Sequence, residues 1–406
     1  MRIGTRTIAP YVLVCLAANV AAAQERSLTL SEVLARARER APEIVSARLA
    51  VEEARGRLAG ASLRFQTNPD IDLAVGNRTG TNTRSADIEL GIGQTFEPAA
   101  RRAARVAGAN AAIVASTADV DRVAQFVLRD AVSAYLRALH ANERLTLLAG
   151  ALELGTSIYN SADRRYRAGD IALLDVNIAR ASLARVRADR ESAEAAKAAA
   201  LGELKQLLSL NGPLEVVGSL TPAGVVDLDV ALRAAALRPD LRSLEAAVQE
   251  AEAEVRVSQT YTKPEYGVAV RYSREENDHI VLGGLTIALP VFARGQEQRA
   301  VGSARAARLR SELEGARMRA QIEVRAAFDV PSRRQQALRV LEAEVLTGLD
   351  ENVQLTTRSF DVGQIGLPEL VLIRREILDT RNQYLDALLE AALARTNLDA
   401  SAGLLR

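Results

Sequence analysis

The chain contains two copies of one sequence pattern, and this repetition constrains its fold more than any other feature. The segment Tyr166–Val176 returns as Phe360–Leu370, 194 residues later, with aromatic, glycine, isoleucine, leucine and acidic residues in matching order. A second pair, Ala41–Glu43 and Arg238–Asp240, is separated by nearly the same distance. Such a repeat predicts two similar structural units in one chain.

The composition favours long helices over a large globular core. Of the 406 residues, 25% are charged and only 3% are aromatic, and tryptophan is absent. Chains of this kind are typical of long helices and coiled coils. The net charge of +1 gives no overall field that favours nucleic acid, and no basic cluster carries interleaved aromatic residues.

Residues 1–23 have the pattern of a secretory signal peptide. Two arginines precede the largely apolar stretch Ala9–Ala18, and Ala21–Ala23 fits the small-residue cleavage rule. The apolar stretch is shorter than the roughly 20 residues that a spanning helix needs, although a retained anchor is the alternative interpretation. We expect an exported chain that begins at Gln24 and has no thiol, because the single cysteine is Cys15.

The repeats predict a division into residues 24–212, a linker at 213–228 and residues 229–406. Each half has the pattern of a helix, a β-hairpin, a long helix, a turn and a returning helix. The first helix is predicted near Leu30–Leu63, with Thr29 or Ser31 as its N-cap, and its twin near Asp229–Ser258.

Two hairpins are predicted at residues 69–97 and 264–292, where the hydrophobic period changes from helical to alternating. Ile71, Leu73 and Val75, for example, alternate with polar or small residues. Each strand is about ten residues long, which is the length that a tilted strand needs to cross a bilayer.

Four aromatic residues bracket these hairpins at the end where the helices begin. An interfacial aromatic belt would lie at this level of a membrane protein. The alternative is that they are ordinary core residues at strand ends. The four residues are Phe65, Phe96, Tyr261 and Phe292.

The helix predicted over Arg101–Tyr166 would be about 100 Å long. Its twin, Gln296–Phe360, contains Pro331, which predicts a kink or break near Asp329–Ser332. Returning helices are expected over two further segments, Leu173–Leu208 and Pro368–Ala402.

Four strands cannot close a barrel, because closed membrane barrels need about eight. An open sheet edge in hydrocarbon leaves backbone groups unpaired, at several kcal/mol each. Either the strands lie outside a membrane, or several chains share one barrel. Three chains would supply about twelve strands.

The chain resembles the TolC family of bacterial outer-membrane efflux proteins, and within it the outer-membrane components of heavy-metal pumps of the resistance-nodulation-division type. The resemblance covers the mature chain and rests on the repeat, the hairpins, Gly91–Pro98 and the two glycine turns. It implies a mainly α-helical fold and a homotrimer. A shared twelve-stranded β-barrel would lie in the outer membrane, and a long helical barrel would lie in the periplasm.

The resemblance also implies that the turns near 168–172 and 362–367 are periplasmic tips that contact an adaptor protein. A reversal between antiparallel helices favours glycine in a left-handed conformation. The residues matched to these contacts are Arg165, Arg167, Gly169, Asp170, Ile171, Val362, Gly363, Gln364 and Ile365.

Glu369, and Asp175 in the first repeat, match acidic residues that narrow the pore in this family. Leu372 and Ile178 stand where the family often has a second acid, so the resemblance implies a single acidic ring. A simpler interpretation is that each acid complements a helix dipole. Arginines that could pair with the ring are Arg165, Arg358 and Arg374.

No pattern of catalytic, cofactor-binding or metal-binding residues stands out, and His140 and His279 are interpreted as unrelated surface residues. The expected function is an outer-membrane exit duct for an inner-membrane efflux pump, and not an enzyme. The alternative is a periplasmic coiled-coil adaptor or scaffold. The sequence leaves open the substrate, the identity of the adaptor and the pump, the resting aperture and the trigger for opening.

Overall fold

A computed structural model describes residues 26–79, 84–221, 224, 226–275 and 278–405. The predicted signal peptide at residues 1–23 lies outside the described residues. The helices are α1 (Leu30–Arg40), α2 (Pro42–Ser62), α3 (Ala99–Arg167), α4 (Leu173–Leu208), α5 (Leu228–Ala235), α6 (Pro239–Gln259), α7 (Gln296–Val340), α8 (Thr347–Asp361) and α9 (Leu367–Ala402). The strands are β1 (Arg26–Leu28), β2 (Asp70–Thr79), β3 (Arg84–Phe96), β4 (Leu214–Val216), β5 (Glu265–Glu275) and β6 (Asp278–Ala288).

The helix predicted as continuous over Leu30–Leu63 is divided in two, so that prediction is wrong. Ala41 adopts an extended conformation between α1 and α2, and Pro42 begins α2. Proline disfavours helical geometry in the residue before it, but it is well tolerated in the first turn of a helix. The second repeat is interrupted in a similar way, because three residues separate the end of α5 at Ala235 from Pro239, which begins α6.

Helix α1 begins at a capping box. The Thr29 side chain accepts a hydrogen bond from the Glu32 N–H, and the Thr29 N–H donates to the Glu32 carboxylate at 2.8 Å. Two backbone donors that the helix itself cannot pair are satisfied in this way. The structure therefore selects Thr29 over Ser31 as the N-cap.

The two hairpins form one antiparallel sheet in the order β2-β3-β5-β6. The repeats meet at the β3–β5 pair, where Ile92 lies opposite Val270. Strands β2 and β6 are the edges of this sheet within the described residues. A separate small sheet pairs β1 with β4 in parallel.

The helix predicted to kink or break near Asp329–Ser332 does not break, because α7 continues through Pro331. A kink at this position stays a prediction. Asp329 and Val330 are exposed, and the Ser332 hydroxyl donates to the Asp329 carbonyl at 2.8 Å. Pro331 has no N–H to donate to the carbonyl of Ala327, one turn earlier, so the helix continues with one internal hydrogen bond missing. The regular helix is interrupted later, by a π-helical segment at Leu341–Leu346.

The main hydrophobic core lies where the short strands β1 and β4 meet the helices. It is rich in alanine and includes Leu204 and Leu208 of α4, both fully buried. Tyr135 of α3 belongs to this core, and its hydroxyl donates to the Val217 carbonyl at 2.7 Å. In contrast, the large apolar side chains of the four-stranded sheet are mostly exposed in a single chain.

Candidate functional site

The turns that join α3 to α4 and α8 to α9 have the same backbone geometry. Gly169 and Gly363 have φ angles of 83° and 77°, in the left-handed region. The Asp170 N–H donates to the Arg165 carbonyl at 2.9 Å, and the Gln364 N–H donates to the Ser359 carbonyl at 2.8 Å. These bonds define Schellman motifs, in which glycine relieves the steric cost of the left-handed residue.

The two turns pack against one another through a cluster that we call the tip cluster. Its buried members come from the two helical hairpins, α3–α4 and α8–α9. They are Ala162, Val176, Ala179, Leu367 and Leu370. Ile171 and Ile365, which the sequence matched to adaptor contacts, pack against this cluster and are half-buried. They therefore help to hold the two turns together.

The charged tip residues have different surroundings. The Arg165 guanidinium lies 5.5 Å from the centre of the Phe360 ring, so it links the first turn to the second. Arg167 pairs with Asp163 at 2.7 Å in an exposed position. Among the remaining matched residues, Asp170, Val362 and Gln364 are exposed. Their contact with an adaptor stays a prediction.

The two candidate pore acids lie in equivalent first turns but have different contacts. Asp175 is half-buried, and its carboxylate accepts a hydrogen bond from the Ala172 N–H at 3.2 Å. Glu369 is exposed in the first turn of α9. Asp175 thus has a local capping role, whereas Glu369 keeps its carboxylate accessible. A pore-lining role for either residue stays a prediction.

Arg374, which the sequence offered as a partner of the acidic ring, makes other contacts. Arg374 donates to the Val353 carbonyl at 3.2 Å and to the Thr357 hydroxyl. Burial lowers the pKa of Arg374 below its ordinary value. Its Nε is buried and has no hydrogen-bond partner among the described residues.

One face of the four-stranded sheet is apolar across its width. Residues that lie directly opposite one another in the register share a face. Leu73 lies opposite Leu90, which lies opposite Tyr272, which lies opposite Val281. The face defined in this way carries Ile71, Leu73, Val75, Ile88, Leu90, Ile92, Tyr266, Val268, Val270, Tyr272, Val281, Leu285 and Ile287.

The opposite face carries most of the charged residues of the sheet. Arg271 pairs with Glu89 at 2.6 Å across the junction of the two hairpins. The Asp72 side chain lies over Gly91, in space that a Cβ atom would occupy, which explains the glycine at that position. The charged members of this face, within the described residues, are Asp70, Asp72, Arg78, Asp87, Glu89, Glu265, Arg271, Glu275 and Asp278.

The four bracketing aromatic residues all lie at the helical end of the sheet. Phe65 and Phe96 contact each other edge to face, with ring centres 5.6 Å apart. Tyr261 lies under the Arg101 guanidinium at 4.7 Å, whereas Phe292 is 89% exposed. The first three therefore have packing partners, and a membrane-interface role stays a prediction.

Three arginines at the start of α3 connect this helix to the end of α2 and to strand β5, and sequence reasoning missed them. Arg102 donates to the Ser62 carbonyl at 2.9 Å, and Arg105 donates to the Ala61 carbonyl at 3.1 Å, both at the end of α2. Arg101 is buried and pairs with Glu265 of the second repeat. The run of arginines just after Pro98 was the available signal.

His140 on α3 and His279 on β6 lie in different elements, as expected of unrelated residues, but His140 is half-buried and not a simple surface residue. Its Nε2 lies 2.8 Å from the Asp386 carboxylate, and its side chain is 12% exposed. The pair joins α3 to α9.

Within the described ranges, no group of three or more His, Cys, Asp or Glu residues is placed to hold a metal ion. No described helix is long and apolar enough to cross a membrane.

Comparison with known proteins identifies the family. The chain matches the Outer membrane efflux protein family over residues 33–210 and 231–404, and it belongs to that family. The two matched segments correspond to the two repeats. The protein is therefore an outer-membrane efflux channel protein.

Curated relatives include the Cobalt-zinc-cadmium resistance protein CzcC of Cupriavidus metallidurans. It is 24% identical over 351 residues, which are 84% of this chain and 82% of the relative. Protein CyaE of Bordetella pertussis is 27% identical over 311 residues, covering 71% of this chain and 65% of the relative.

Solved structures share the fold. CusC is similar with a TM-score of 0.75 and 18% identity over 92% of both chains. The CmeC outer membrane channel of Campylobacter jejuni has a TM-score of 0.75 and 16% identity, over 92% of this chain and 85% of that one. The predicted fold class, with long helices, a few strands and two repeats, is confirmed by these matches.

Proposed function

We propose that three copies of this chain form a continuous exit duct through the outer membrane and part of the periplasm. The helical tips would receive substrate from a periplasmic adaptor and an inner-membrane pump. The sheet of each copy would supply four strands to a shared barrel of about twelve. The predicted signal peptide would direct the chain out of the cytoplasm.

The observation that carries this proposal is the form of the four-stranded sheet. Its strands have membrane-spanning length, one face is apolar, and the other is charged. Its edge strands, β2 and β6, have one unpaired side each within the described part of the chain. In hydrocarbon those edges require partner strands, which neighbouring copies can supply.

We further propose that divalent metal cations are the substrates. The relative CzcC is a cobalt-zinc-cadmium resistance protein by name. The charged face of the sheet holds seven carboxylates and two arginines among the described residues. The carboxylates are Asp70, Asp72, Asp87, Glu89, Glu265, Glu275 and Asp278, and the arginines are Arg78 and Arg271. An acidic lining favours passage of cations over anions.

Native mass spectrometry of the chain from outer-membrane fractions tests the assembly. A trimer is the expected result, and a monomer in the soluble periplasmic fraction would contradict the duct.

Expression in a strain that lacks an outer-membrane component for metal efflux tests the substrate. Restored tolerance to zinc, cobalt or cadmium is expected. Unchanged tolerance to all three metals with a normal trimer would contradict the metal assignment only.

The pore constriction has its own test. Glu369→Gln should lower the preference for cations over anions in planar bilayers, because it removes an exposed carboxylate from each copy. Glu314→Gln, at an exposed acid of α7, is the matched control and should leave selectivity unchanged. Equal selectivity of Glu369→Gln and the unaltered chain would remove Glu369 from the constriction.

A further inference from the structure

A cavity of about 1120 Å³ lies between the helical hairpins α3–α4 and α8–α9. On α9 its lining runs from Val371 to Leu385, a distance of about 21 Å along a helix. Much of the wall is aliphatic, and it comes from all four of these helices. Its apolar residues include Leu147, Leu154, Ile158, Val186, Val371 and Leu378.

Arg374 places a cation in this wall without a carboxylate partner among the described residues. Two of its contacts are to neutral oxygens, on Val353 and Thr357, and its buried Nε is unpaired within the same residues. Burial lowers its pKa because no neighbouring acid compensates for lost hydration. A buried donor of this kind is costly unless an anion or another acceptor occupies the space beside it.

The acids that line the cavity lie at its mouth. Asp379 is 3.9 Å from Arg185 and 3.5 Å from Arg375, and these three side chains are 39–55% exposed. Asp189 lies 3.8 Å from Arg185, and Glu143 is exposed. The wall therefore combines aliphatic side chains, a partly exposed set of ion pairs and the half-buried guanidinium of Arg374, which has no carboxylate partner among the described residues.

We propose that this cavity binds an amphiphile that carries a carboxylate headgroup, of the fatty-acid class. The carboxylate would accept hydrogen bonds from Arg374, and the acyl chain would lie along the aliphatic wall. Guanidinium and carboxylate groups form strong charge-assisted hydrogen bonds. Burial of an alkyl chain contributes favourable free energy for each methylene. A small inorganic anion would leave the aliphatic wall uncovered, and a neutral amphiphile would leave Arg374 unpaired.

The test uses palmitate with a terminal diazirine, added to the delipidated full-length chain in detergent. Photolysis followed by peptide mapping locates the bound acyl chain. The methyl ester of the same probe tests the contribution of the carboxylate. Expected adducts lie on the α3 segment 143–158, and saturation of labelling gives the apparent affinity.

Two variants separate the headgroup from the acyl chain. Arg374→Gln removes the guanidinium and should weaken labelling about tenfold, which is the usual range for a hydrogen bond to a charged group. Its control is Arg187→Gln, at an exposed arginine of α4 that is not among the residues lining the cavity. Gly150→Leu fills the cavity from α3, where an added Cβ meets nothing within 4 Å. Its control is Gly202→Leu, at an exposed and equally open position of α4.

The proposal expects loss of the α3 adducts in Gly150→Leu, about tenfold weaker labelling in Arg374→Gln, and normal labelling in both controls. Adducts confined to the strands would overturn it, because they would mark lipid around the sheet only. Equal labelling by the methyl ester, or no effect of Arg374→Gln, would overturn the headgroup assignment. Circular dichroism and native mass spectrometry identify any variant that fails to fold or assemble. For such a variant, competition by unlabelled palmitate against methyl palmitate on the unaltered chain decides the result.

Discussion

Two glycines determine the shape of the helix reversals, because other residues adopt their conformation only at a cost. Gly169 and Gly363 both have positive φ angles, and an added Cβ would meet no atom within 4 Å at either position. Backbone conformation, and not close packing, therefore requires glycine in these turns. A left-handed conformation costs an ordinary residue about 1–2 kcal/mol.

Gly363→Ala should lower the free energy of unfolding by about 1 kcal/mol. Gly202→Ala is the matched control, because Gly202 lies inside α4 with open space around it. That change should raise stability by about the same amount, since alanine is the better helix former. Chemical denaturation of both variants measures the difference. Equal and stabilising effects would contradict a conformational requirement at Gly363.

The environment of Glu250 in α6 predicts how the stability of the fold depends on pH. Burial raises its pKa above the ordinary value, and repulsion by Glu254 adds to this effect, while Arg305 and Arg57 oppose it. The folded chain therefore holds this proton more tightly than the unfolded chain does. Ionised Glu250 destabilises the fold at neutral pH, and this loss disappears as the pH falls through the raised pKa towards the unfolded value.

Glu250→Gln should therefore be more stable than the unaltered chain at pH 7, and the two should converge under acidic conditions. Thermal unfolding measured across this pH range checks the prediction. Glu314→Gln, at an exposed acid, should show no such convergence. A constant difference between Glu250→Gln and the unaltered chain at every pH would show that ionisation is not its cause.

At the scale of elements, position decides what a proline does. Pro42 and Pro239 begin helices, where proline needs no N–H partner, whereas Pro331 lies inside α7. A proline inside a helix removes one hydrogen bond and crowds the preceding turn. The helix nevertheless continues through Pro331, so the lost hydrogen bond does not end it.

Pro331→Ala should raise the free energy of unfolding by about 2 kcal/mol, because it restores a helical hydrogen bond and removes the steric conflict. Pro42→Ala should have little effect, since that proline is at the first position of its helix. Denaturation with urea compares the two. A loss of stability in Pro331→Ala would indicate that the proline-induced geometry is needed for packing of α7.

Sequence reasoning located the elements well where one physical signal dominated. Alternating hydrophobicity located the hairpins, and the paired glycines located the turns. It failed where two signals competed. The Ala41–Pro42 step was read as part of a helix because the hydrophobic stripe continues across it. The roles of Arg101 and His140 depend on Glu265 and Asp386, more than 150 residues away, which no local pattern reveals.

At the scale of the whole molecule, the arginines at the start of α3 join the two repeats next to the four-stranded sheet. Arg101 connects α3 of the first repeat to Glu265 of the second, and Arg102 and Arg105 hold the end of α2. The helices and the sheet are thus joined by contacts from both repeats. The sheet itself has little core in a single chain, because its apolar face is exposed. An environment with lipid against the apolar face and water against the charged face fits both faces of the sheet.

Two adjacent substitutions test this orientation of the sheet. Leu73 lies on the apolar face near the middle of β2, and its neighbour Ala74 lies on the opposite face, across from Glu89. Leu73→Arg should destabilise the membrane-inserted form by about 2–4 kcal/mol, because it exposes a charge to hydrocarbon. Ala74→Arg should be tolerated, since that face is already charged. The yield of trimer from outer-membrane fractions measures both effects. If the two variants assemble equally well, the apolar face does not contact lipid, and a scaffold outside the membrane becomes the better account of the chain.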